Sequence, residues 1–432
     1  MKATFATGAP GQQPYSEMET QRNTLAAAEH PPAPCSLKEA MAAIQRLCEP
    51  LVAERVPLET ALGRVLRESV CAPEDIPACD RSTRDGYAIL QHDPAQVFQV
   101  VDTLYAADWK PRQLKPGEAV RVATGAALPC AGLRVVMQEN VATQDGSFRI
   151  VTPETALNRR QRGEDVPAGG LLVPLGTRLN AGKLALLATV GCVQPRVNPR
   201  LCVVHLTTGD EVVPPEQTPL PGQIRDSNSI LIRSLLQPWP CDIFQTHLPE
   251  DFALAKTACE KLSAEFARAD MVLISGGASV GEKDFTSQLL TRLGFTIHFS
   301  QVNLRPGKPL IFGTQGRRVA FGLPGNPLSH FVCFHFAVAI ALARLAGEAP
   351  PQFWRGRLAA PLTAALCPRE TLWPARREGA GLLPLPWSSS GDVTCFAAAN
   401  ALLRVPANTP PLPAGTEVDF LPADFQLPSI LT

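Results

Sequence analysis

The sequence has no excess of charge, because its 40 Lys and Arg residues balance its 40 Asp and Glu residues and give a formal net charge of +0 at pH 7. Such a chain has no overall electrostatic attraction to nucleic acid or to an anionic membrane. We therefore expect neither as a partner, and any anion site must come from a local arrangement of residues. A hydrophobic content of 45% is typical of a globular protein.

Paired cysteines and targeting signals are also missing. None of the 12 cysteines belongs to a Cys-x-x-Cys pair, which argues against a metal–thiolate site. The N-terminus lacks the basic start and apolar core of a signal peptide, so we expect reduced thiols and a cytoplasmic location. The most apolar stretch, 328–346, carries His330, His335 and Arg344 and is interpreted as a buried helix rather than a membrane span.

Nucleophilic catalysis has no visible signature either. No Ser/His/Asp order and no Cys/His pair stands out, and each of the seven histidines is interpreted as a core or surface residue. At 432 residues the chain is long enough for several domains, since single cores rarely grow beyond a few hundred residues. We predict a disordered tail (1–35), a linking domain (36–67 plus 156–197), an inserted β-rich domain (68–155), an α/β domain (198–347) and a C-terminal β domain (348–432).

Helices and strands alternate regularly from residue 200 onward, which predicts an open, mostly parallel sheet with helices on both faces. In such sheets, ligands bind beyond the carboxyl ends of the strands. The segments 207–211, 275–284 and 324–327 all leave predicted strands at that end, so we expect them to share one crevice. In the linking domain, Ser36 and Glu39 predict a capping box for a helix over 37–47, and 56–70 is predicted as a second helical segment.

The stretch from Met271 to Ser329 carries most of the chemistry. A buried strand over 271–274 leads into the glycine-rich loop 275–281, whose backbone N–H groups could approach an anion closely. Arg305 and Lys308 lie on a proline-containing turn with Pro-Gly between them, so both could point at one anion. The alternatives are a purely structural glycine loop and an ordinary solvated turn.

Carboxylates at Asp210, Glu211 and Asp284 are predicted in the same crevice, where they would repel an anion unless a hard cation lay between them. Mg²⁺ prefers oxygen ligands and commonly combines one or two carboxylates with phosphate oxygens, so it would reconcile the two sets of charges. For Asp284 the alternative is helix N-capping. From the residues alone, we predict a Mg-dependent, multidomain α/β protein that carries out cation-assisted transfer at a phosphorylated ligand.

Three motifs resemble those of the molybdopterin molybdenumtransferases, the MoeA-type proteins that include the C-terminal enzymatic domain of gephyrin. They lie at 275–284 (SGGASVGEKD), 305–309 (RPGKP) and 322–327 (GLPGNP). The resemblance continues in the family's order over roughly residues 36–430, through matching segments at 85–88, 124–126, 136–139, 162–165, 208–211 and 226–228. Two departures stand out, because the family usually has Met where this chain has Arg84 and Lys where it has Arg305.

The resemblance implies insertion of molybdenum from molybdate into adenylylated molybdopterin, with Mg²⁺ present and AMP released. It implies an elongated homodimer whose active site is shared between subunits, an elongated linking domain, a molybdopterin-binding role for 198–347 and a β-barrel-like C-terminal domain. A molybdopterin adenylyltransferase and molybdoenzymes are implied as partners. The alternatives are a non-catalytic molybdopterin carrier and a gephyrin-like scaffold, whereas an adenylylating nucleotidyltransferase would not need residues 68–165.

The resemblance also assigns roles to individual residues. Asp85 and Asp165 would face the crevice from the partner subunit, and Arg305 and Lys308 would bind phosphate or molybdate. The implied catalytic residues are Asp85, Asp165, Glu211, Asp284, Arg305 and Lys308, and the implied metal ligands are Glu211, Asp251 and Asp284. The implied ligand-binding residues are Thr124, Thr208, Gly209, Asp210, Ser275, Gly276, Gly277, Ser279, Pro306, Gly307, Pro324, Gly325, Asn326 and Pro327.

Overall fold

The computed structural model describes residues 34–251, 257, 260, 263–276, 285–363, 366–379 and 381–423. Its framework is three six-stranded sheets and several two-stranded ladders. Residues 1–33 of the predicted tail lie outside the described residues. At its end, the backbone N–H of Cys35 donates to the carbonyl of Gln301 over 3.1 Å, and Cys35 accepts from the N–H of Asn303 over 2.7 Å.

The first part of the chain runs out and back along three ladders and carries a sheet at their far end. Strand β1 pairs with β12, β2 with β11 and β3 with β10, all antiparallel. Between β3 and β10, six strands form a sheet in the order β7-β4-β6-β5-β9-β8. The bounds are β1 (Glu54–Arg55), β2 (Val70–Cys71), β3 (Arg81–Ser82), β4 (Gly86–Leu90), β5 (Phe98–Leu104), β6 (Glu118–Val122), β7 (Leu133–Met137), β8 (Val141–Gln144), β9 (Ser147–Ile150), β10 (Arg159–Arg160), β11 (Leu171–Val173) and β12 (Arg196–Val197).

Helix α1 (Leu37–Leu47) begins with the predicted capping box, in which Ser36 and Glu39 exchange side-chain and backbone hydrogen bonds. Helix α2 (Ala181–Thr189) starts at Asn180, whose side chain accepts from the N–H of Lys183. Short 3₁₀ turns occur at Leu58–Thr60 and Gln138–Asn140.

The helical segment predicted over 56–70 is wrong, because the 3₁₀ turn is followed by a second turn at 62–63 and then by extended chain at 65–66. Gly63 has φ +75°, a left-handed conformation that interrupts a helix. The next apolar residues, Val65 and Leu66, are both completely buried. Val65 forms a bridge with Arg178 and Leu66 with Val197, so neighbouring side chains are buried on opposite sides of an extended chain.

The central sheet confirms the open, mostly parallel architecture. Its order is β16-β13-β17-β21-β20-β18, with β16, β13, β17 and β21 parallel and the last two pairings antiparallel. Every residue of β13 and β17 is buried, as expected for strands covered on both faces. The bounds are β13 (Leu201–Thr208), β14 (Val212–Val213), β15 (Ile224–Arg225), α3 (Asn228–Leu236), β16 (Cys241–Leu248), α4 (Ser263–Arg268), β17 (Met271–Ser275), α5 (Phe285–Arg292), β18 (Thr296–Phe299), β19 (Leu304–Arg305), β20 (Ile311–Gln315) and β21 (Arg318–Leu323).

The long apolar helix is buried, as predicted. It consists of α6 (Pro327–Cys333), a π turn (Phe334–Val338) and α7 (Ala339–Ala346), with Pro327 in the first turn. Among the described residues, Pro327–Ala346 is the one helix whose length and composition would allow it to cross a membrane. However, 94% of its most apolar window is buried inside the protein, as in a core helix.

The C-terminal part closes into a five-stranded barrel, as predicted. Strands follow the order β23-β24-β22-β26-β25, and β25 pairs back with β23. Strand β19 of the central part runs parallel to β23, with Arg305 opposite Thr371, so the barrel is fastened beside the 305–309 turn. The bounds are β22 (Trp354–Leu358), β23 (Glu370–Glu378), β24 (Gly381–Pro384), α8 (Val393–Ala397), β25 (Ala401–Val405) and β26 (Glu417–Pro422).

Candidate active site

A cleft of about 590 Å³ opens where three parallel strands of the central sheet end. Thr207 in β13 pairs with Ser275 in β17, and Ser275 pairs with Leu323 in β21. The three strands therefore end at one level, and the segments that follow them line one cavity. This is the edge at which open α/β sheets bind ligands.

Gly276 brings the chain leaving β17 close to the end of β13. It has φ +97°, and a Cβ atom there would lie 2.5 Å from the carbonyl oxygen of Thr208. Its N–H donates to the carbonyl of Leu323 over 3.2 Å, and its carbonyl accepts from the Thr286 hydroxyl over 2.7 Å. Only glycine meets both the conformational and the steric requirement.

The turn with Arg305 and Lys308 forms one wall of the cleft. The Lys308 carbonyl accepts from the N–H of Val302 over 2.9 Å, which fixes the turn to its own strand. The guanidinium of Arg305 lies 4.8 Å from the ring centroid of Trp387, a cation–π contact with the barrel. Arg369, the residue immediately before the barrel's β23, donates to the carbonyl of Leu304 over 3.0 Å.

Charge in the cleft is unbalanced. Four cationic side chains line it, against the carboxylates of Glu211 and Asp226, which leaves an excess of two positive charges. Within the described part of the chain, none of the four forms an ion pair with a carboxylate. The arrangement suits a ligand that carries two or more negative charges. The four cations are Arg225, Arg305, Lys308 and Arg369.

The 324–327 turn also lines the cleft and is held by polar contacts. The Asn228 side chain donates to the carbonyl of Gly325 over 2.7 Å. The Asn326 side chain donates to the Ser390 hydroxyl over 2.8 Å, and the carbonyl of Ser390 accepts from the N–H of Leu328 over 3.0 Å. The turn is thus fastened both to α3 and to the barrel.

Three buried polar atoms of residues lining the cleft have no hydrogen-bond partner among the described residues. They are the Thr208 hydroxyl oxygen, the Asn228 side-chain oxygen and the Trp387 indole nitrogen. An unsatisfied buried polar group costs about 1–3 kcal/mol, so proteins rarely retain several in one place. Their occurrence in three residues of one cleft indicates a site built to receive a polar ligand.

Ser275 is buried between two histidines that sequence reasoning had treated separately. Its Oγ lies 2.6 Å from Nε2 of His205 and 3.5 Å from Nε2 of His330. Burial lowers the pKa of His205 to about 3 and that of His330 to about 4, so both imidazoles are neutral at pH 7.

The cleft gathers more than half of the residues assigned to it from the sequence. Glu211, Arg305, Lys308, Thr208, Ser275, Gly276, Pro306, Gly307, Pro324, Gly325, Asn326 and Pro327 all line it. Three of the assigned residues do not line the cleft, namely Gly209, Asp210 and Asp251. The Asp210 carboxylate instead accepts a hydrogen bond from the backbone N–H of Glu250 over 3.4 Å. Gly277, Ser279 and Asp284 lie outside the described residues.

Asp85, Thr124 and Asp165 do not line the cleft of their own chain. Asp85 is exposed and accepts hydrogen bonds from the backbone N–H of Thr124 (2.7 Å) and from its hydroxyl (3.0 Å). These bonds, the backbone one foremost, lower the pKa of Asp85 below its ordinary value. Asp165 is exposed and forms an ion pair with Arg160.

The predicted metal ligands are only partly brought together. Glu211 lines the cleft, Asp251 is exposed outside it, and Asp284 is not among the described residues. In the described ranges, no three His, Cys, Asp or Glu side chains are grouped so that they could hold a metal ion. Hydroxyl, amide and phosphate oxygens would have to complete any Mg²⁺ site here.

Sequence reasoning missed the residues that the barrel contributes, namely Arg369, Trp387, Ser389 and Ser390. No local pattern in the sequence marks these four residues. It also left Asp226 and Asn228 out of the site, although their segment was one of the matching motifs. The motif at 226–228 was the signal that could have identified these two residues.

Three family models match successive parts of the chain. The MoeA N-terminal region (domain I and II) matches 35–191, the probable molybdopterin binding domain matches 205–344, and the MoeA C-terminal region (domain IV) matches 352–423.

Among curated relatives, the molybdopterin molybdenumtransferase of Nostoc sp. is 36% identical over 309 residues, covering 68% of this chain and 70% of the relative. That of Staphylococcus aureus (strain MRSA252) is 30% identical over 409 residues, covering 90% and 95%. The solved structure of a molybdopterin biosynthesis MoeA protein from Pyrococcus horikosii has a TM-score of 0.76 and 30% identity, covering 90% of this chain and 99% of that one.

Proposed function

The chain belongs to the MoeA family of molybdopterin molybdenumtransferases, enzymes of molybdenum cofactor biosynthesis, and on this premise we propose its reaction. It inserts molybdenum from molybdate into adenylylated molybdopterin and releases AMP, in a reaction that depends on Mg²⁺. The observation that carries the proposal is the cleft itself, with its excess of two positive charges and its three unpartnered buried polar atoms.

The cations of the cleft act on the anionic substrates. Arg305, Lys308 and Arg369 converge from the turn and from the barrel, and they bind the molybdate dianion or the pterin phosphate. The cation–π contact with Trp387 holds the Arg305 guanidinium in place before the ligand arrives, which reduces the ordering cost on binding. The Trp387 N–H remains available as a donor to the ligand.

Oxygen donors of three residues that line the cleft are of the kind that Mg²⁺ binds. Glu211 would supply a carboxylate, and the unpartnered oxygens of Thr208 and Asn228 would supply neutral ligands. We propose Asp284 as a further ligand, and Asp251 only in a rearranged loop. When bound, the ion neutralises charge on the phosphate oxygens and so favours departure of AMP.

Asp85 and Asp165 act on a neighbouring subunit in this proposal. Both are exposed and outside the cleft of their own chain, so they are available to a second copy. The working form is then a homodimer whose site is shared between subunits. A cytoplasmic location, delivery of substrate by a molybdopterin adenylyltransferase and transfer of the product to molybdoenzymes complete the proposal.

AMP release tests the reaction directly. The purified protein is given adenylylated molybdopterin with and without molybdate and Mg²⁺, and nucleotide release is followed by chromatography. We expect release that requires both additions and that Lys308→Ala and Asp85→Ala abolish. Lys110→Ala is the matched control, because Lys110 forms an exposed ion pair with Asp102 away from the cleft. Tight binding of the nucleotide without release would instead indicate a carrier.

A further inference from the structure

Five residues form a continuous hydrogen-bonded chain behind the cleft, from Gln245 through His205, Ser275 and His330 to the carbonyl of Pro324. His205 and His330 are completely buried, and Ser275 is 2% exposed at the cleft wall. Because each link needs one donor and one acceptor, fixing the two ends fixes the direction of every bond between them.

Gln245 fixes the first end. Its Oε1 lies 2.8 Å from Nε of Arg233, which can only donate, and its Nε2 lies 2.9 Å from the carbonyl of Ser229, which can only accept. The reversed amide would set donor against donor and acceptor against acceptor. Nε2 of Gln245 therefore donates to Nδ1 of His205 over 2.9 Å, and the neutral His205 carries its hydrogen on Nε2. That hydrogen is donated to Ser275 Oγ.

Pro324 fixes the other end. Its carbonyl accepts from Nδ1 of His330 over 3.1 Å, so Nε2 of the neutral His330 is an acceptor. The hydroxyl of Ser275 is its partner, at 3.5 Å. If that hydroxyl turned toward the cleft, a completely buried acceptor would lose its hydrogen bond.

We infer that Ser275 presents only an acceptor to the cleft, and therefore contacts an N–H or O–H group of the organic part of the ligand. Molybdate and phosphate oxygens of an ionised ligand carry no hydrogen to donate, so Ser275 repels them and the cations that line the same cleft bind them. His205 and His330 are positioning residues that act through Ser275. The identity of the ligand rests on the proposed function, whereas the direction of the hydrogen-bond chain does not.

Histidine tautomers test the direction without any ligand. Long-range ¹H–¹⁵N spectra of the full protein labelled with ¹⁵N-histidine distinguish Nδ1–H, Nε2–H and imidazolium forms. We expect His205 as the Nε2–H tautomer and His330 as the Nδ1–H tautomer, unchanged between about pH 6 and about pH 8, with assignments from His205→Gln and His330→Gln. The opposite tautomer of either ring, or a charged ring, would overturn the inference.

Ligand affinities of the Ser275→Ala variant test whether Ser275 acts only as a hydrogen-bond acceptor toward the cleft. We expect its affinity for molybdate and for inorganic pyrophosphate to change less than about 2-fold, while its affinity for adenylylated molybdopterin falls about 3- to 10-fold, as for the loss of one neutral hydrogen bond. A comparable loss for the inorganic anions would make Ser275 a donor and contradict the inference. If the unsubstituted protein binds both anions but not the pterin nucleotide, the proposed function fails while the tautomer result stands.

Discussion

Replacing Gly276 by alanine should lower the free energy of unfolding by an amount that follows from the local geometry. Its φ of +97° is unfavourable for any L-residue, which costs about 1–2 kcal/mol. In addition, the new Cβ would lie 2.5 Å from the carbonyl oxygen and 2.9 Å from the hydroxyl oxygen of Thr208. Relieving that overlap in a packed region costs about 1–3 kcal/mol more. The total loss should be about 2–5 kcal/mol.

Gly222→Ala supplies the matched control. Gly222 has φ +89°, but no heavy atom lies within 4 Å of the position that an alanine methyl would occupy, so only the conformational cost applies. Both substitutions also restrict the unfolded chain by the same amount, which cancels in the comparison. The difference between the two variants therefore isolates the contact with Thr208, at about 1–3 kcal/mol.

The assay is urea denaturation followed by circular dichroism and tryptophan fluorescence, together with pyrophosphate binding by calorimetry. We expect Gly276→Ala to unfold at lower urea than Gly222→Ala and to bind pyrophosphate more weakly, because the backbone at residue 276 and Thr208 must move apart and so change the shape of the cleft. Equal free energies of unfolding for the two variants would refute the reasoning. It would mean that the ends of β13 and β17 are not in close contact.

Three further predictions concern single side chains. Lys308→Ala should weaken molybdate binding by roughly 10-fold or more, because a charge-assisted contact is lost, whereas Lys308→Arg should keep most of the molybdate affinity. Calorimetry measures the affinity of both variants. Trp387→Phe retains an aromatic ring beside Arg305 but removes the unpartnered N–H, so pyrophosphate affinity should fall about 3- to 10-fold with an unchanged melting temperature; a large fall in melting temperature would contradict this. The pKa of Asp85 lies below its ordinary value of 3.8 because Thr124 donates two hydrogen bonds to the carboxylate. These bonds therefore stabilise the folded protein above pH 3.8, and this stabilisation is lost as the pH falls through the lowered pKa. Asp85→Asn should therefore reduce the acid-induced drop in melting temperature, and an unaltered pH profile would show that these bonds do not stabilise the fold.

Local patterns were sufficient where one physical preference dominates. The buried strand at Met271–Ser275 and the helix beginning at Pro327 follow from continuous apolar runs bounded by glycine and proline. Arg305 and Lys308 were predicted to point at one anion because they lie on a proline-containing turn with Pro-Gly between them. In each case the sequence neighbours themselves supply the contacts that decide the structure.

Contacts distant in the sequence could not be predicted in this way. Arg369 and Trp387 reach the cleft only because β19 pairs with β23, and no periodicity encodes that docking. The chain through His205 and His330 joins residues 125 positions apart whose separate contexts resemble ordinary core positions. The error over 56–70 has the same origin, since pairing with residues near 178 and 197 overrides local helical spacing.

The nested ladders of the first part of the chain make residues 83–158, which contain its six-stranded sheet, an insertion in the framework. Ser82 is paired with Arg159, so residues 83–158 leave the framework and return to it at adjacent points. A short turn could close that gap, because the entropy of joining two ends depends only weakly on what lies between them. Asp85 and Thr124 belong to this insertion, whereas Asp165 belongs to the framework. Insertions and deletions in its loops can thus accumulate without disturbing the register of the sheet that supports the cleft, provided that residues 125–128 keep their hydrogen bonds to Asp80 and Ser82.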